Sequence, residues 1–206
     1  MNSTFTAFDG ERRLASGPLD EVALAIKRIE PQTSAPIAIF DDLTGRAIDL
    51  DLRGSDADVV ARLARNPYVV ARLTRNPEPG QTSEAVAPAS EPRGRGRPKL
   101  GVVAREVTLL PRHWEWLNAQ SGGASVALRK LVEQARRANG DADRARAARE
   151  AAYHFMSAMA GNRPGFEEAT RALFADDRRG MAGHIATWPA DIRDHVVKLA
   201  YSDRAD

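Results

Sequence analysis

Residues Pro92–Asn139 read PRGRGRPKLGVVAREVTLLPRHWEWLNAQSGGASVALRKLVEQARRAN, and the organisation of the rest of the chain follows from this stretch. An arginine-glycine arm comes first, then a short apolar run, then two helix-length patterns parted by Ser121-Gly122-Gly123. Ten basic residues stand against three acidic ones here, a net charge of +7 in a chain whose total is +2. Residues 1–91 sum to −4 and residues 140–206 to −1. Positive charge gathered at mid-chain beside acidic or near-neutral flanks points first to a polyanionic partner.

A chain of 206 residues with 43% hydrophobic residues can build one large or two small cores. It contains no cysteine, which excludes a disulfide, a thiolate metal site and a cysteine nucleophile. No apolar run approaches the length of a membrane span, and MNSTFTAFDGERR lacks the basic-then-apolar order of a signal peptide. A cytoplasmic protein is expected, with no membrane association and no cofactor.

Upstream of the arm, Ser3 to Phe8 alternate polar and apolar residues, Asp9-Gly10 supplies a hairpin turn, and Glu11 to Ala15 returns. Leu19, Val22, Ala23, Ile26 and Ile29 then recur at helical spacing behind Asp20 and Glu21. A second strand pair is expected over Pro36–Phe40 and Arg46–Leu52, followed by a helix capped by Ser55 or Asp56. The order ββαββα predicts a small antiparallel sheet over residues 1–77 with helices on one face. VVARLARNPY (Val59 to Tyr68) is repeated as VVARLTRNPE (Val69 to Glu78), each copy stopped by Asn-Pro. Two copies are too few for a solenoid and read as a duplication that adds one short helix.

Glu78 to Glu91 hold almost no large apolar residue, so residues 78–101 are expected to be a disordered linker that carries the basic arm. Arg95-Gly96-Arg97-Pro98 resembles the core of an AT-hook. An extended arm with glycine between arginines can lie in the narrow minor groove of A·T-rich DNA, where the negative potential is strongest. Arg93, Arg95, Arg97 and Lys99 are therefore candidate nucleic-acid contacts. Arginine-rich linkers also serve as RNA-binding segments or plain tethers.

Residues 102–139 form a strand-helix-helix pattern. Val102–Leu110 has strand composition, Pro111 opens a helix on which Trp114 and Leu117 form the inner face, and Trp116 is left for an interface. Ser125 caps a second helix with Val126, Leu128, Leu131, Val132 and Ala135 as its apolar set. The unit resembles a ribbon-helix-helix domain, above all in Ser125, Ala127, Leu128, Arg129 and Leu131. That resemblance implies a homodimer whose strands, residues 102–110, pair into a ribbon that enters the major groove, with the second helix's N-terminus on a phosphate. One strand phase buries Leu110, Thr108 and Glu106, and the other buries Leu109, Val107 and Arg105. Both phases stay open; Arg105, Thr108 and Ser125 join the candidate contacts. The alternative is a strand-helix-helix segment packed into a larger α+β body.

Residues 140–206 read as a helical bundle: a helix from Asp141 to about Gly161, one opened by Pro164, one capped by Asp176-Asp177, and a last opened by Pro189. Tyr153, Phe155, Phe166, Phe174 and Trp188 sit at helical spacing and are expected in the core. Adjacent carboxylates such as Glu167-Glu168 point apart on a helix, so no catalytic or metal site is expected. The chain as a whole resembles a family of uncharacterised bacterial proteins through RGRPKLGVVAREVTLLPRHWEWL, GFEEATRALF and WPADIRDH. An α+β, non-enzymatic, DNA-binding protein results, a regulator or nucleoid-associated protein preferring A·T-rich duplex. The alternative is a protein-interaction adaptor whose basic arm is a linker.

Overall fold

The computed structural model describes residues 4–29, 36–70 and 105–201. The fold is α+β, a four-stranded antiparallel sheet followed by helices. The elements are β1 (Phe5–Asp9), β2 (Arg12–Gly17), α1 (Leu19–Ile29), β3 (Ile37–Asp41), β4 (Ala47–Ile48), α2 (Asp56–Arg65), α3 (Pro111–Asn118), α4 (Gly123–Ala160), α5 (Phe166–Phe174), α6 (Arg178–His184) and α7 (Ala190–Tyr201). The chain divides into two compact units, Met1–Pro77 with Gly140–Asp206, and Glu78–Asn139.

In the first unit the strands lie in the order β2-β1-β3-β4 with every pairing antiparallel. The Asp9-Gly10 turn forms as read, with Gly10 at φ 55°, and a register shift falls between Ala7 and Phe8. Helices cover both faces of the sheet, not one. Successive strand side chains point to opposite faces, and β1 is apolar on both. Phe5 and Ala7 pack with Ile39 against Val22, Ala23 and Ile26 of α1 and Val59 and Leu63 of α2. Phe8 and Phe40 face the other way, onto Phe155 and Met156 of α4 and Ile192 and Val196 of α7. Residues 1–77 and 140–206, expected as separate domains, thus share one core. Helix α2 starts as anticipated, with Ser55 and Asp58 closing a capping box, and it ends at Asn66 ahead of Pro67.

The strand expected over Arg46–Leu52 shortens to Ala47–Ile48, because the chain leaves the sheet to let Leu50 and Leu52 pack toward α1 and α2. Gly45 turns β3 into β4 at φ 64°, and a Cβ there would lie 1.8 Å from the Ala151 carbonyl oxygen. No other residue allows this backbone-to-backbone approach to α4.

In the second unit, residues 105–110 form no strand within the chain, and residues 102–104 lie outside the described residues. A lone extended segment has no ladder partner to complete it. Helix α3 runs from Pro111 as read and buries Leu117, but Trp114 is 36% exposed, so it is not the core residue expected. Helix α4 begins at Gly123, which places Ser125 inside its first turn instead of at the cap. The two helices expected over 125–138 and 141–161 are one helix of 38 residues, running through Asn139-Gly140. The intrahelical pairs Arg136–Glu133, Arg137–Glu133, Arg144–Asp141 and Arg146–Asp143 on either side of that dipeptide favour continuity.

Candidate nucleic-acid interface

Arg93, Arg95, Arg97 and Lys99 lie outside the described residues. Arg105, Thr108 and Ser125 are all exposed, the first two in the segment before α3 and the third in the first turn of α4. Among the described residues, Arg105, Arg112, Arg129 and Lys130 of this unit make no ion pair, whereas Arg136 and Arg137 share Glu133. Those two guanidiniums hold the Glu133 carboxyl below the usual carboxylate range. Arg129, Lys130 and Glu133 line an open groove of about 360 Å3 along α4 with Val126 and Gln134. Unpaired cations of this kind can take phosphate oxygens without first breaking a bond.

A second constellation, in the first unit, was not legible in advance. Asp42 follows β3 and is almost fully buried, with its side chain 7% exposed. Lys198 of α7 donates to Asp42 Oδ2 at 2.9 Å, and Thr6 Oγ1 of β1 donates to the same oxygen at 3.1 Å. Thr6 Oγ1 also meets Ser16 Oγ of β2 at 2.9 Å. His195, one helical turn before Lys198 and wholly buried, brings Nε2 to 3.3 Å from Asp42 Oδ1, but the approach is askew and neither atom completes a hydrogen bond. Its ring lies edge-on to Phe8 and Phe155 at centroid distances of 5.4 and 4.5 Å. Burial pushes the Asp42 carboxyl up, but His195 and Lys198 outweigh it and hold the group well below its ordinary value of 3.8. Of the two, the well-aligned Lys198 is the firmer partner.

The Ser16 hydroxyl lies 3.5 Å from Lys198 Nζ. Nucleophilic chemistry would need that amine as a base, and it is already engaged by the Asp42 carboxylate at 2.9 Å. The groove lined by Val126–Gln134 and a second, lined by Ser157–Pro164, involve none of these side chains. The network therefore acts as a polar tie between the sheet and α7. Its one advance signal was the position of His195 between Ile192 and Leu199 on the apolar stripe of a helix.

Among the described residues no group of three or more His, Asp or Glu could hold a metal ion, and no helix is long and apolar enough to cross a membrane. A family model described as "Uncharacterized protein conserved in bacteria (DUF2239)" matches residues 4–200. The chain belongs to this family. The match runs through both units, so the sheet, the basic stretch and the C-terminal helices are parts of one family domain. No curated protein and no solved structure matches the chain.

Proposed function

We propose that this member of the family is a non-enzymatic DNA-binding protein, a regulator or nucleoid-associated protein of the bacterial cytoplasm. The observation that carries the reading is the set of exposed, unpaired cations Arg105, Arg112, Arg129 and Lys130 in the unit that also holds the arginine-glycine arm. Arg93, Arg95, Arg97 and Lys99 enter the minor groove of A·T-rich duplex, and Arg105, with Thr108 and Ser125, contacts the adjacent backbone or bases.

Fluorescence anisotropy with labelled A·T-rich and G·C-rich duplexes tests this. Affinity should fall linearly with salt on a log–log scale, with a slope set by the number of phosphates neutralised. The double variant Arg95→Ala/Arg97→Ala should lose about tenfold or more and most of the A·T preference. Absence of binding in dilute buffer overturns the reading, and undiminished binding by the double variant removes the arm from it. The adaptor alternative draws on the exposed Trp116 and Val132, and a stable protein complex purified free of nucleic acid favours it.

A further inference from the structure

Along α4 one row of leucine and alanine side chains is largely exposed. Leu128, Leu131, Ala135, Ala138, Ala142 and Ala145 recur at alternating steps of three and four residues, the spacing of a two-stranded coiled-coil seam. The same steps pass through Arg149 to Ala152 and Met156, the last two buried in the core of the first unit. Upstream that burial stops: Leu131 is 42% exposed, Val132 beside it is 64% exposed, and Ala135, Ala138 and Ala142 are exposed. Side chains this small allow a second helix to approach to about 8 Å. A row of exposed apolar side chains of this kind can serve as an interaction surface.

We propose that a second copy of this chain occupies the face, the two α4 helices lying parallel and in register from Leu128 to Ala145. The residues flanking the seam select this occupant. In a parallel in-register pair each residue just before one seam position meets the partner's residue five positions on. Gln134 then meets Asn139, amide against amide, and Asp141 meets Arg146, acid against base, twice by symmetry. An antiparallel pair centred on the same seam sets Asp141 against Gln134 and Val132 against Asn139, leaving the charges unmatched. Arg146 is now held by Asp143 at 2.9 Å and Asp141 by Arg144, both on the surface, so exchanging these pairs for the intermolecular ones costs little. The proposal does not rest on DNA binding.

The absence of cysteine from the chain makes the test direct. Nuclease-treated full-length protein in high salt, at tens of micromolar, should run in light scattering at twice the chain mass of 22.4 kDa. Under mild oxidation Ala138→Cys, on the seam, should cross-link to a dimer about tenfold faster than Arg136→Cys, on the outer face, because seam positions of a parallel pair fall within disulfide range. Asp141→Arg alone should weaken association about tenfold and Asp141→Arg/Arg146→Asp should restore it. A monomeric mass, equal cross-linking at both positions, or a double reversal no better than the single one overturns the proposal. Each of these can happen with DNA binding intact, and DNA binding can fail with the dimer intact.

Discussion

The two units bury their large apolar side chains to different extents. In Met1–Pro77 with Gly140–Asp206, both faces of the sheet are covered, and Phe8, Phe40, Phe155, Met181, Ile185 and Ile192 are at most 1% exposed. In Glu78–Asn139, only Leu117 and Ala127 among the described residues are buried, while Val107, Leu110, Trp116, Leu131 and Val132 stay 42–64% exposed. Composition does not explain this, since both units carry leucine, valine and tryptophan. One unit closes a core within a single chain, and the other has apolar surface left over.

The sharpest way to break that contrast is to truncate one large aromatic in each unit. Phe155 touches Phe8, Phe40 and His195, and Phe155→Ala should cost about 4 kcal/mol in urea unfolding. Trp116→Ala, half exposed, should stay within about 0.5 kcal/mol in dilute protein. Equal losses would show that the second unit has a core after all.

A smaller effect tests what closes the first unit. Asp42→Asn removes the carboxylate shared by Lys198 and Thr6 and should cost about 2 kcal/mol at neutral pH. The sign with pH is fixed. The Asp42 carboxyl is lower in the folded than in the unfolded chain, so its contribution is fully present above the ordinary value of 3.8 and is lost as pH falls toward the folded value. Urea midpoints of the two proteins should therefore converge below about pH 4. A constant gap across pH would assign the loss to shape, not charge.

The smallest test concerns the helix that runs from one unit into the other. Gly140 is helical, and a Cβ there meets only the end of the Arg144 side chain at 3.5 Å. Gly140→Ala should stabilise α4 by about 1 kcal/mol and raise the melting temperature by about 2–4 °C. Destabilisation would mean that the helix must bend at this position.

What could be read beforehand follows from how local each signal is. The Asp9-Gly10 turn, the Ser55 cap, the Asp177 cap and the proline-opened starts of α3 and α7 are written in a few neighbouring residues, and all formed. The helices expected on either side of Asn139-Gly140 are continuous, because a glycine penalty of about 1 kcal/mol is easily offset in a helix of 38 residues. Tyr153 and Phe174, expected inside, are 36% and 51% exposed and stack on each other, because periodicity shows that a helix has an apolar face and not how wide it is. The Asp42–Lys198 tie joins residues 156 positions apart, and no local pattern encodes such a pair. Of the proposed DNA contacts, the charge was visible in the sequence; the absence of carboxylate partners for Arg105 and Arg129 required coordinates.

The covering of the sheet's second face by α4 and α7 has a consequence for synthesis. Phe8 and Phe40 leave the ribosome more than a hundred residues before Phe155 and Ile192, the side chains that shield them, so for roughly ten seconds of elongation the nascent sheet shows a greasy, half-dressed surface. In a chain laid out in this order the C-terminal helix is the clasp whose arrival closes that face of the sheet.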